Sequence, residues 1–251
     1  MTTARRPAPT DVAAVLTRMR ALDSVLPRAD GVAVFNRVYL SVTEEVRRRL
    51  ADGRFADTPA AAELAVRFAG RYLAAVEDDA AGRRPPACWR PLLRMREHPG
   101  IRPIQYALAG INAHVGHDLA LAVVETCRAT GRAPAALEGD FDRVGEVLTS
   151  IEVRVREELM PGPDLLESAE PLTHLIGAWS LARARGAAWA AARLLWTLRG
   201  TPEAYGECAT GLDEAVGLVG RFLLTPLGPR TPIAGPRAAQ SSGSSTGAIS
   251  S

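Results

Sequence analysis

Apolar residues recur every three to four positions along most of the chain, the spacing of an amphipathic helix. No run alternates with a strand's two-residue period for long enough to build a sheet. The pattern predicts a first helix from about Asp11 to Leu22 and a second from Asp30 or Gly31 to Leu50, closed by Asp52-Gly53. A third opens at Thr58-Pro59, a capping residue followed by proline at the first helical position, and ends near Gly82. Prolines break Arg83–Pro103 into a segment with room for one short helix. A long helix then runs from about Ile104 to Thr130, stopped by Gly131, and another from Asp140 to Leu159. After a proline-rich connection, Met160 to Pro171, two more helices are expected over Thr173–Arg199 and from Thr201-Pro202 to about Leu224.

The expected fold is therefore all-α, a single-domain bundle of about seven helices, with residues 1–227 as its body. Residues 228–251 are Gly, Pro, Ser, Thr and Ala with little apolar content. They cannot bury enough surface to offset their ordering entropy, and are read as a disordered tail.

Within this pattern the long helix is unusual. Ile104, Leu108, Ile111, Val115, Leu119 and Ala122 line one face, and Ala107 and Leu121 lie on the opposite side. A helix apolar on several sides is normally buried in the middle of a bundle, so its polar groups are buried too and need partners. Those groups are Asn112, His114, His117 and Asp118, which place two of the chain's four histidines within one turn. His114 and Asp118 are four apart and stack on one face, with His117 beside them.

Three readings follow. In the leading one the chain is a small-molecule enzyme of cyclase or isomerase type that works without a cofactor. His114 or His117 is the catalytic acid or base, and Asp118 orients it and raises its basicity. Asn112, Asn36 and Tyr39 would hold polar groups of a small apolar metabolite, while Trp89 lines the pocket and Arg183, four residues from Trp179, adds a cation. In the second reading His114 and Asp118 bind a single divalent metal such as zinc, for ester or phosphoester hydrolysis, with a further ligand from Asp140, Asp142 or His174. His-x-x-x-Asp is also a fragment of the zinc-dependent phospholipase C and P1-type nuclease pattern, but that family needs more histidines than His98 and His174 can add. In the third the chain binds a ligand without changing it.

Composition narrows the chemistry. All 30 basic residues are Arg, so lysine Schiff bases and a P-loop lysine are excluded. A net charge of +2 gives no reason to expect a nucleic-acid partner. The three cysteines, Cys88, Cys127 and Cys208, are far apart and form no Cys-x-x-Cys. Buried small apolar residues are expected there, rather than disulfides or a thiolate zinc site. Arg5 and Arg6 are followed by Pro7, Pro9 and Asp11 instead of an apolar run, and the apolar stretches are interrupted by His, Asp or Arg. Neither a signal peptide nor a membrane span is expected, and a cytoplasmic location is the default. The oligomeric state is left open.

Phe35–Thr43, Phe68–Leu73, Trp89, Asn112-Ala-His-Val-Gly-His-Asp-Leu119, Asp140-Phe141 and Arg185–Trp189 together resemble a mainly actinobacterial family, a domain of unknown function of about this size. Asn-Ala-His-x-x-x-Asp-Leu is the most specific part. The resemblance implies one α-helical unit with Asn112, His114 and Asp118 in its site, and a setting in specialised-metabolite pathways. It supplies no reaction.

Overall fold

A computed structural model describes residues 8–159 and 180–226, with side chains described except over 149–159. Every regular element among them is helical. The helices are α1 (Val12–Val25), α2 (Gly31–Ala51), α3 (Thr58–Ala80), α4 (Arg90–Met95), α5 (Pro103–Ala113), α6 (Leu119–Thr130), α7 (Glu138–Leu159), α8 (Leu181–Thr197) and α9 (Pro202–Leu223).

Side-chain caps start several of them. Asp11 accepts from Ala14 N, Asp30 from Val32 N and Ala33 N, and Asp57 from Ala60 N. The third helix is thus capped one residue earlier than the Thr58-Pro59 signal suggests. Gly131, at φ 68°, ends α6 in the left-handed conformation that glycine adopts without strain.

Three expectations change. The helix predicted from Thr173 has a fresh start at Ser180, whose extended backbone and side chain cap α8. Trp179 and His174 lie outside the described residues, as do the Met160–Pro171 connection and the 228–251 tail. Asp140, the expected start of α7, is its third residue. Its carboxylate instead accepts from Ala56 N (2.8 Å) and Asp57 N (2.9 Å), tying α7 to the turn before α3.

The predicted central helix is central, but it is not one α-helix. Between α5 and α6, residues His114–Asp118 form a π-helical turn in which Leu119 N–H bonds to His114 O, five residues back. α5 packs between α2 and α9, and α6 between α3 and α8. Close approach on the α2 side depends on Gly110, where a Cβ would fall 2.8 Å from Phe35 Cβ and nearer still to its ring. The Pro103–Thr130 run is long and apolar enough to cross a membrane by composition alone. Yet 89% of its most apolar window is buried inside the bundle, as expected of a core helix.

Candidate active site

The π turn decides what the four polar residues can do. A turn closed by i→i+5 bonds rotates neighbouring residues less about the axis than an α-helical one. It gathers His114, His117 and Asp118 on the inward side, all buried. Asp118 is the hub. Its Oδ2 accepts from Trp89 Nε1 (2.9 Å) and lies 3.0 Å from His114 Nδ1, while its Oδ1 lies 2.9 Å from His117 Nδ1.

Burial acts to raise the Asp118 carboxyl, but the hydrogen bonds from both histidines outweigh it and bring it down to about 2. An ionised carboxylate only accepts, so each histidine must carry its proton on Nδ1. Each Nε2 is left free of Asp118, and it is a lone-pair acceptor wherever its ring is neutral.

Those two Nε2 atoms face different surroundings. The His114 ring lies flat on Phe68, with centroids 3.6 Å apart, and meets the edge of Tyr39 at 4.3 Å. Burial lowers its basicity more than Asp118 restores it, so the imidazole is neutral at pH 7. Its Nε2 is buried with no hydrogen-bond partner. Tyr39 and Phe68 also form the inner wall of an apolar cleft of about 40 Å³, closed by Leu119, Phe141 and Arg185 among others. His114 therefore contacts two residues of the cleft's lining without lining it itself. A separate groove of mixed polarity, about 480 Å³ in volume and bordered by Arg71 and Glu125, has Asp118 among its lining residues.

His117 turns the other way. Its Nε2 is 3.9 Å from Asp213 Oδ1 on α9, and the Cys88 thiol completes a group whose ligand atoms lie within 4.8 Å of one another. Among the described residues this is the one set of three or more His, Cys, Asp or Glu side chains that could share a metal ion. It contains neither His114 nor Asp118, so the metal reading built on those two finds no third donor there. Asp140 is engaged at the start of α3, and Asp142 lies 3.8 Å from Arg185.

The other predicted residues divide. Tyr39 and Trp89 belong to the cluster. Asn36 is completely buried and joins three helices, donating to Met19 O (2.9 Å) and accepting from Tyr72 OH (3.2 Å). The Asn112 amide donates to Val216 O (3.0 Å) and fixes α9. Arg183 is exposed in the first turn of α8, whereas Arg185, two positions on, reaches the cleft and donates to Phe141 O (2.8 Å).

Sequence reasoning gave no site role to Cys88, Asp213 or Arg185. Cys88 adjoins the singled-out Trp89, a signal that was present. Asp213 lies among ordinary acidic residues of an amphipathic helix, and only packing distinguishes it.

A family profile described as "Family of unknown function (DUF5995)" matches residues 12–226, so the chain belongs to that family. No curated protein and no solved structure is detectably similar to it.

Proposed function

We propose that this DUF5995 member is a small-molecule enzyme of isomerase or cyclase type, with His114 as its acid–base catalyst. The observation that carries the reading is the buried, unpartnered Nε2 of His114, whose other nitrogen is fixed by Asp118. Leaving a buried polar atom unpaired destabilises a fold, so such an atom calls for an explanation, and a catalytic role for the imidazole supplies one.

In the proposed cycle Nε2 takes a proton from one atom of the substrate, and Asp118 stabilises the imidazolium formed. The proton then returns to a second substrate atom, so mass is conserved and no oxidant is needed. The substrate is a small apolar molecule in the Tyr39–Phe68–Phe141 cleft, with Arg185 suited to a polar or anionic end. At about 40 Å³ the cleft must widen to admit it, and the Phe68 ring, on whose face His114 lies, is the natural gate. The same reading takes Asn112–Leu119 as the characteristic segment of a mainly actinobacterial family and places the reaction in specialised metabolism.

The test is untargeted. Small-molecule extracts are incubated with the protein in D2O and compared with the His114→Ala variant. The expected result is a product isomeric with its precursor and absent with the variant, carrying solvent deuterium only where the Nε2 proton exchanges before it is returned. Turnover by a folded His114→Ala protein would refute the assignment. A metabolite that co-purifies and is never converted would favour the non-catalytic, ligand-binding reading.

A further inference from the structure

We propose that Cys88, His117 and Asp213 form a binding site for one zinc-type divalent cation, a site separate from the acid–base function of His114.

The three residues come from elements distant in sequence. Pro86–Trp89 is a turn closed by Trp89 N to Pro86 O (3.1 Å), so Cys88 and Trp89 enter the cluster side by side. Asp213 arrives on α9, whose close approach depends on Gly217: a Cβ there would lie 2.6 Å from Ala87 O. The Asp213 carboxylate accepts from Ala87 N (2.7 Å) and Cys88 N (2.9 Å), which orients it while leaving lone pairs toward His117.

Three features of the donors favour a cation. The first is orientation. Asp118 accepts at His117 Nδ1, which turns Nε2 toward the Asp213 carboxylate at 3.9 Å. That distance is too long for a hydrogen bond, so the two groups face each other without bonding. A carboxylate on Nδ1 with a free Nε2 is also the arrangement that supports metal-ligating histidines.

Charge is the second. Asp118 and Asp213 have their ion-pair contacts with histidine, and neither is paired with an arginine among the described residues. The third is ligand chemistry. Imidazole, thiolate and carboxylate form a borderline-soft set suited to zinc. Tetrahedral zinc places its ligand atoms about 3.5 Å apart. Closing the observed spread of up to 4.8 Å asks for about 1.3 Å, shared between the facing side chains.

Cation binding displaces the Cys88 thiol proton to solvent and leaves a thiolate ligand. The Asp213 side chain keeps 21% of its exposure, so water can occupy a fourth position.

The test uses the full chain, reduced and metal-free, titrated with cobalt(II) and then zinc(II). One equivalent of cobalt should bind, with the visible bands of a tetrahedral ion and the near-ultraviolet charge-transfer band of a thiolate ligand. Zinc should displace it. Cys88→Ser and Asp213→Asn should remove or shift that band and weaken binding at least tenfold, whereas His114→Ala should leave the titration unchanged. Loss of turnover in His114→Ala with an intact cobalt spectrum thus separates this site from the acid–base reading.

Should a variant fail to fold, the wild-type spectrum still decides. Absence of a one-equivalent endpoint, or cobalt bound without a thiolate band, overturns the proposal. So does a thiolate band that persists in Cys88→Ser, which would put the ion on Cys127 or Cys208.

Discussion

Replacing Asp118 by asparagine removes the charge from the hub but keeps its shape. The gap between the ordinary carboxyl value of 3.8 and about 2 in the fold corresponds to about 2 kcal/mol of stability at pH 7. The sign follows from proton uptake. The folded value is depressed, so the unfolded state binds the proton more readily. The contribution is complete above about pH 5 and declines as pH falls through 4 toward 2. About half of it remains at pH 3 by the same relation. A neutral asparagine resembles the protonated acid, so Asp118→Asn should lose about 2–3 kcal/mol at pH 7 and roughly half as much at pH 3. Urea unfolding of both proteins, followed by tryptophan fluorescence at several pH values, measures the difference directly. A loss below about 0.5 kcal/mol at pH 7 would refute the reasoning, because charge-assisted bonds to two buried imidazoles cannot be worth so little. A difference that stays constant down to pH 3 would equally show that the carboxylate charge is not what holds the histidines.

His114 is held below its ordinary 6.5 by burial, so the unfolded chain takes up its proton first as pH falls. Stability should therefore decline below about pH 6.5. A His114→Gln variant measured in parallel by thermal unfolding should show a shallower decline, and equal slopes would contradict the assignment. Gly110→Ala should lose about 1–3 kcal/mol through overpacking against the Phe35 ring. Gly206→Ala, exposed in α9 with nothing within 4 Å of its Cβ, should be neutral or gain up to about 1 kcal/mol from helix propensity. Melting temperatures that failed to separate these two glycines would contradict the close α2–α5 contact.

Much of the fold was legible along the chain because helices are specified locally. Asp11, Asp30, Gly53, Gly82 and Gly131 mark helix ends by capping and left-handed backbone. Polar residues on a helix apolar all round identified Asn112, His114, His117 and Asp118 as buried before any packing was known. What those residues touch was not legible. Asn36 and Asn112 read like substrate contacts, yet their buried partners are Met19 O, Tyr72 OH and Val216 O, set by how α1, α3 and α9 pack. Arg183 and Arg185 are nearly equivalent in sequence, and only the rotation of α8 brings Arg185 to the cleft.

The sequence by itself determined the helices, their burial and the polar residues of the central one, because periodicity and capping act within a few residues. Tertiary structure decided the π turn, the division of labour between His114 and His117, and the meeting of Cys88 with Asp213. Cys88 and Asp213 are 125 positions apart, and no local spacing encodes which helix faces come together.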